Sequence, residues 1–198
     1  MEQSLQPDRV VGAGRGALIL SMAGAGWLGW GLSVAHAYNA VVAPIFGAVS
    51  IFLWVWSLHV IRTGRTLRRR LPASSLSAAR FPARSFAVVV LAEVLAVVVV
   101  ILLAAGRAHR PDLATGGCAL VVGLHYLPLA RIFRAPMLAV LGVLLSLWCV
   151  IAWAYFRLDS LVIAITIGTG ILFWATSIAV LLRARSIGLA FPLSHPPS

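Results

Sequence analysis

Apolar and polar positions separate along this chain on the scale of whole helices. Six long apolar stretches, residues 17–37, 41–61, 86–105, 113–130, 136–156 and 160–182, are divided by segments that hold nearly all of the charge. The most uniform is Phe86 to Ala105, FAVVVLAEVLAVVVVILLAA, almost wholly Val, Leu and Ala with one carboxylate, Glu93. About 20 apolar residues in a helix cross the hydrocarbon core of a bilayer, where every backbone polar group must be satisfied internally. A soluble chain of 198 residues could not bury several such helices in one core. The pattern predicts an all-α fold, a polytopic six-helix transmembrane bundle forming one membrane domain over residues 17–185. Phe86–Ala105 is expected to be the span around which the others are organised. Outside the spans lie an N-terminal tail, residues 1–16, an Arg-rich loop, residues 62–85, and a Pro-rich C-terminal tail, residues 186–198.

Within the spans, small and polar residues mark where helices can meet. In the first, Ser21, Ala25 and Gly29 recur at steps of four and would let another helix approach closely. This Gly-rich span is also a candidate surface for a homo-oligomer. Ala35-His36-Ala37 at its end resembles an A-x-A signal cleavage site, although the apolar run is long for a signal peptide and another span follows at once. Trp54, Trp56 and His59 near the end of the second span suit the headgroup level. Pro128 is expected to kink the fourth span, Pro136 to open the fifth and Asp159 to cap the sixth.

Composition sharpens the class. The chain is 61% hydrophobic and 11% charged, with a mean hydropathy of +0.99. All sixteen basic residues are Arg, and the formal net charge is +11. Because the Arg residues cluster at span ends, the expected partners are anionic lipid headgroups, with Arg68, Arg69 and Arg70 foremost, and not nucleic acid. Thirteen Arg fall on the side of the two tails and three on the other. The positive-inside rule then puts both termini in the cytoplasm of a bacterial-type inner membrane. Cys118 and Cys149 lie inside spans without CxxC or Cys/His spacing, so no metal is expected.

Polar residues inside spans should face the bundle interior. Ser146, Cys149 and Trp153 share one face of the fifth span, and Thr166, Thr169, Thr176 and Ser177 do so on the sixth. These are candidates to line a cavity, set against the plainer reading that hydroxyls bond within or between helices. Glu93 is the sharpest signal. It lies about 12 Å from the cytoplasmic face and His125, on the next antiparallel span, about 9 Å. A carboxylate and an imidazole at one depth form a candidate proton-handling or structural pair. The histidines His36, His59, His109 and His125 broadly resemble a di-haem arrangement, but no spacing fixes it, so no cofactor is expected. Walker A, G-x-S-x-G and H-E-x-x-H motifs are absent. The expectation is a small proton-linked transporter or permease subunit. The alternatives are a membrane-embedded enzyme using Glu93 and His125 on a lipophilic substrate, and a structural or partner-binding membrane protein.

Overall fold

Helices form wherever the chain is apolar, and they run on beyond it. The computed structural model describes residues 6–70, 83–107 and 110–189. Among them there is no strand, and six helices are long and apolar enough to cross a membrane. They are α1 (Gln6–Val34), α2 (Val42–Arg70), α3 (Ala83–Ile101), α4 (Pro111–Phe133), α5 (Pro136–Tyr155) and α6 (Leu158–Leu189). The chain has the architecture of a multi-pass membrane protein. A π-helical segment, Leu102–Arg107, leads out of α3.

Several ends differ from the expected spans. α1 starts inside the expected tail, α2 carries the helix through Arg70, and α6 continues to Leu189. The apolar run marks where lipid begins and ends, whereas Arg, Thr and Leu remain compatible with helix outside it. Thr63 and Thr66 donate to the carbonyls of His59 and Arg62, each at 3.0 Å, within this extension. Pro72, Arg80 and Pro82 lie outside the described residues. α4 continues past Pro128 as one helix.

Caps explain the sharp turns. Asn39 Oδ1 accepts from the N–H groups of Val41 and Val42, at 2.9 and 2.8 Å, and opens α2. α1 and α4 each end on a non-glycine residue in the left-handed region, His36 and Arg134, both at φ 50°. At the first, Ala37 N–H donates to Leu32 O and His36 N–H to Ser33 O, the two bonds of a Schellman turn. α6 corrects the capping expectation. Asp159 is already inside the helix, and Ser160 Oγ accepts instead from the N–H of Arg157, at 3.2 Å.

The packing reverses the expected centre. α6 touches α1, α2, α4 and α5, and its seam with α1 is the most extensive in the molecule. α3, the most apolar helix, packs along α4 and has no buried residue in its span. In lipid an apolar side chain gains nothing by leaving the bilayer for another helix. Close approach therefore decides the centre, and small residues allow it. A Cβ on Gly24 of α1 would lie 3.0 Å from the Gly170 carbonyl of α6, and one on Gly170 would lie 2.9 Å from the Gly24 carbonyl. The buried stripe of α1 is Ala17, Ser21, Gly24, Leu28 and Gly31. The expected Ser21-Ala25-Gly29 row drifts off it because steps of four advance about 40° each, while alternating threes and fours hold one face.

Candidate functional site

The seam between α3 and α4 is built from a stripe on each helix. On α3 the half-covered positions are Phe86, Val89, Val90, Glu93, Ala96, Val97, Val100 and Ala104, spaced three and four apart. The flanking faces, including Val94, Leu95 and Val98, are exposed. Glu93 thus lies on the stripe that faces α4, while Ala92, Val94 and Leu95 beside it face outward. Its Oε2 lies 3.2 Å from Nδ1 of His125, with the His125 side chain 9% exposed and that of Glu93 22%. Nδ1 has no well-directed hydrogen bond, so the contact is a close electrostatic one with the ring N–H pointing off the carboxylate.

Apolar contacts enclose the pair along the seam. At one end Phe86 and Phe133 stand 6.0 Å apart, ring to ring. At the other, Val100 fills the place beside Gly117, where a Cβ would come within 2.5 Å. Sideways, the His125 ring meets Tyr126 edge-on at 5.7 Å, and Tyr126 meets Phe173 of α6 at 5.9 Å. An imidazole, a phenol and a phenyl ring so connect the peripheral seam to the central helix. Tyr126 stands in the motif-like stretch Gly123 to Leu129 of the sequence, which gave it no role of its own.

Chemically, a carboxylate and an imidazole in contact can hold no proton, one or two. Screening is weak in such surroundings, so each change alters the attraction across the seam strongly.

The other candidate residues sit in helix contacts. Ser146 Oγ donates to Gly142 O at 2.9 Å, Thr166 Oγ1 to Val162 O at 2.7 Å and Thr176 Oγ1 to Leu172 O at 2.8 Å, each within its own helix. Ser177 Oγ crosses to Ala17 O of α1 at 2.9 Å. Cys149 is buried among Ala119, Ala152, Leu161 and Ile165. Thr169 Oγ1 and Trp153 Nε1 are buried without a hydrogen-bond partner. Trp153 instead borders a groove of about 460 Å³ with Val100, Leu103, Ala104, Leu113 and Gly117. Sequence reasoning also missed two indole bonds between helices, Trp174 Nε1 to Ser21 O and Trp148 Nε1 to Ala164 O, both 3.1 Å. The signal was present as Trp opposite Gly-rich segments.

Of the basic cluster, Arg68 lies 3.5 Å from Asp8 of α1, Arg69 is exposed, and the side chain of Arg70 lies outside the described set. Among the described residues no three His, Cys, Asp or Glu side chains converge as a metal site would require. His59 is exposed on α2, and His109 lies outside the described residues. Compared with known proteins, the chain matches no family model, no curated protein and no solved structure.

Proposed function

We propose that this chain is a small proton-linked transporter or permease subunit of a bacterial-type cytoplasmic membrane, with Glu93 and His125 as its proton-handling groups. The observation that carries the reading is the place of the one acidic residue deep within a span. It sits on a helix that packs along one neighbour, 3.2 Å from that neighbour's imidazole. Gain or loss of a proton changes the net charge of the pair, and with it the hold of α4 on α3. α3 has the least other packing to resist a displacement. The Arg balance, thirteen against three, supports both termini in the cytoplasm and the pair in the inner half of the bilayer. Exposed Arg62, Arg65 and Arg69 then face anionic headgroups. The Gly-rich first span is the surface for a second copy, and its Gly26 is exposed with open space beside it.

The test compares cells lacking the protein, cells carrying it and cells carrying Glu93→Gln. Small molecules are measured inside and outside at two external pH values. The expected result is a solute whose distribution depends on the protein and on pH, and which Glu93→Gln returns to the level of cells without it. No such solute, or full activity in Glu93→Gln, would overturn the proposal. A second reading, an enzyme acting on a lipophilic substrate, is favoured by one observation. The pair lies one helix away from lipid, behind a span with exposed flanks. It predicts a lipid that is chemically altered, not moved, in the same comparison.

A further inference from the structure

The first three helices and the last three share one packing scheme. α1 packs along α2 and α6, and α4 packs along α5 and α3. Each first helix so meets the second helix of its own half and the third of the other. The turns agree as well. Among the described residues, the two non-glycine residues in the left-handed region are His36 after α1 and Arg134 after α4. Each of these N–H groups donates three residues back, to Ser33 O or Arg131 O, and the next N–H donates five back, to Leu32 O or Ala130 O. The registers match too. Glu93 of α3 lies against His125, nine residues before Arg134. Nine before His36 is Trp27, and the contacts of Gly170 with Gly24 and Leu28, and of Thr166 with Gly31, bring it level with Thr169 of α6. Thr169 is eleven residues from the start of α6, and Glu93 ten from the start of α3. Because each half holds three spans, the halves cross the membrane in opposite directions, as inverted repeats do.

Exchange of the third helices sorts the bundle into two units, α1 with α2 and α6, and α4 with α5 and α3. In the first, Ser177 Oγ and Trp174 Nε1 of α6 donate to carbonyls of α1, and Gly24 and Gly170 bring the two backbones together. In the second, Gly123 and Gly142 do the same for α4 and α5. Between the units, α6 meets α4 and α5, and among the described residues one hydrogen bond crosses, Trp148 Nε1 to Ala164 O near the start of α6. Towards its other end, Leu181 and Ala184 are buried in a cluster with residues of α1 and α2 only. Midway stands Thr169, buried with its hydroxyl unpartnered, which destabilises the closed interface until the units part and water reaches it. The proton-handling pair reaches this interface through Tyr126, whose ring meets His125 on one side and Phe173 of α6 on the other. We propose that the chain is two inverted repeats with exchanged third helices, and that its two units rock against each other across α6, opening the two faces of the membrane in turn. The charge on Glu93 biases that motion, so the inference rests on the proton-linked reading above.

The experiment uses the full chain in phospholipid vesicles, with Cys118 and Cys149 replaced by Ala and spin labels on pairs of exposed positions near helix ends. Arg131→Cys with Arg183→Cys spans the units at the face of the termini, and Trp30→Cys with Tyr155→Cys spans them at the opposite face. Arg62→Cys with Arg183→Cys stays within one unit. Distances between the labels are measured by pulsed electron spin resonance, with Glu93 in place and in Glu93→Gln. The two distances between units should change by several ångströms in opposite directions, while the distance within the unit stays. Distances between units that stay fixed, or that change in the same direction, would overturn the proposal, as would an equal change within the unit. Helical content and elution volume show whether Glu93→Gln misfolds, and His125→Gln then takes its place. A solute that follows Glu93 while the distances stay fixed would overturn the rocking and leave the transport reading standing. Opposed changes without any transported solute would support the rocking and refute that reading.

Discussion

Replacing Glu93 and His125 by Gln, singly and together, tests whether the two form an energetic unit. Gln keeps nearly the volume of Glu, so Glu93→Gln removes charge without opening a cavity. At 3.2 Å, two unit charges attract by about 5 kcal/mol at an effective dielectric of 20. Desolvation of both groups and the off-line ring N–H offset most of this. The expected coupling is about 1–3 kcal/mol, the upper part of the range for side chains in contact. Each single variant should lose stability, because an uncharged amide replaces one member of the contact and the remaining group keeps its desolvation cost without the full attraction. The double variant should lose less than the sum of the two. The assay is equilibrium unfolding in mixed micelles with rising denaturing detergent, followed by circular dichroism. Effects that add to within about 0.5 kcal/mol would refute the reasoning, because distant, independent sites behave that way. A double variant more stable than the unmodified chain would show instead that desolvation outweighs attraction.

Three other outcomes follow from the packing and the sequence. Gly24→Leu should cost at least about 1–3 kcal/mol in the same assay, because its Cβ meets Trp174 and the Gly170 carbonyl at the main seam; an unchanged midpoint would remove that seam from the centre of the fold. His36→Gly should stabilise by about 1 kcal/mol, because φ 50° strains any residue with a Cβ; a lower melting temperature would show that the imidazole is needed at the turn. Reporter fusions after Ser77 and Ser198 should read cytoplasmic and those near Asn39 and His109 external, and a cytoplasmic signal at His109 would sink the proposed orientation.

Membership of the six helices was legible because about 20 apolar residues in a row have one physical outcome in a membrane. Their ends were less so. The bilayer sets where apolarity stops, but Thr63, Thr66 and the Arg residues of α2 keep their backbone bonds in water as well. Which helix stands at the centre was not legible from apolarity at all. Hydropathy ranks α3 first, yet the centre belongs to α6, whose Gly168 and Gly170 admit Trp148 and the backbone of α1. Such contacts are encoded in pairs of positions, small on one helix and bulky on another, and single spans do not reveal the pairing. Depth arithmetic could bring Glu93 and His125 to one level. Whether they face each other depends on the rotation of α3, which its apolar residues barely specify.

That rotation has a physical consequence. Val, Leu and Ala occupy nearly every position of α3, so any of its faces could meet α4 with similar dispersion energy. Glu93 breaks the equivalence. Turned half a revolution, it would stand in hydrocarbon without a partner, at a cost of about 2.5 kcal/mol or more for a charged carboxylate. Turned towards α4, it lies 3.2 Å from His125. One residue so fixes the register of a helix whose remaining contacts, Phe86 with Phe133 and Val100 beside Gly117, only complement it. A helix held in place by many polar contacts would not depend on any one of them, whereas here one carboxylate carries the polar contact of the span. Glu93→Leu should therefore leave α3 in the membrane but loosen its orientation. The measurement is disulfide formation between cysteines placed at Val100 and Gly117, where a Cβ on Gly117 lies 3.7 Å from that of Val100, against Val99 and Gly117 as the control pair, with Cys118 and Cys149 replaced by Ala. In the unmodified background the first pair should form several-fold faster than the second. In Glu93→Leu the two rates should converge, and an undiminished preference would show that apolar packing alone orients the helix.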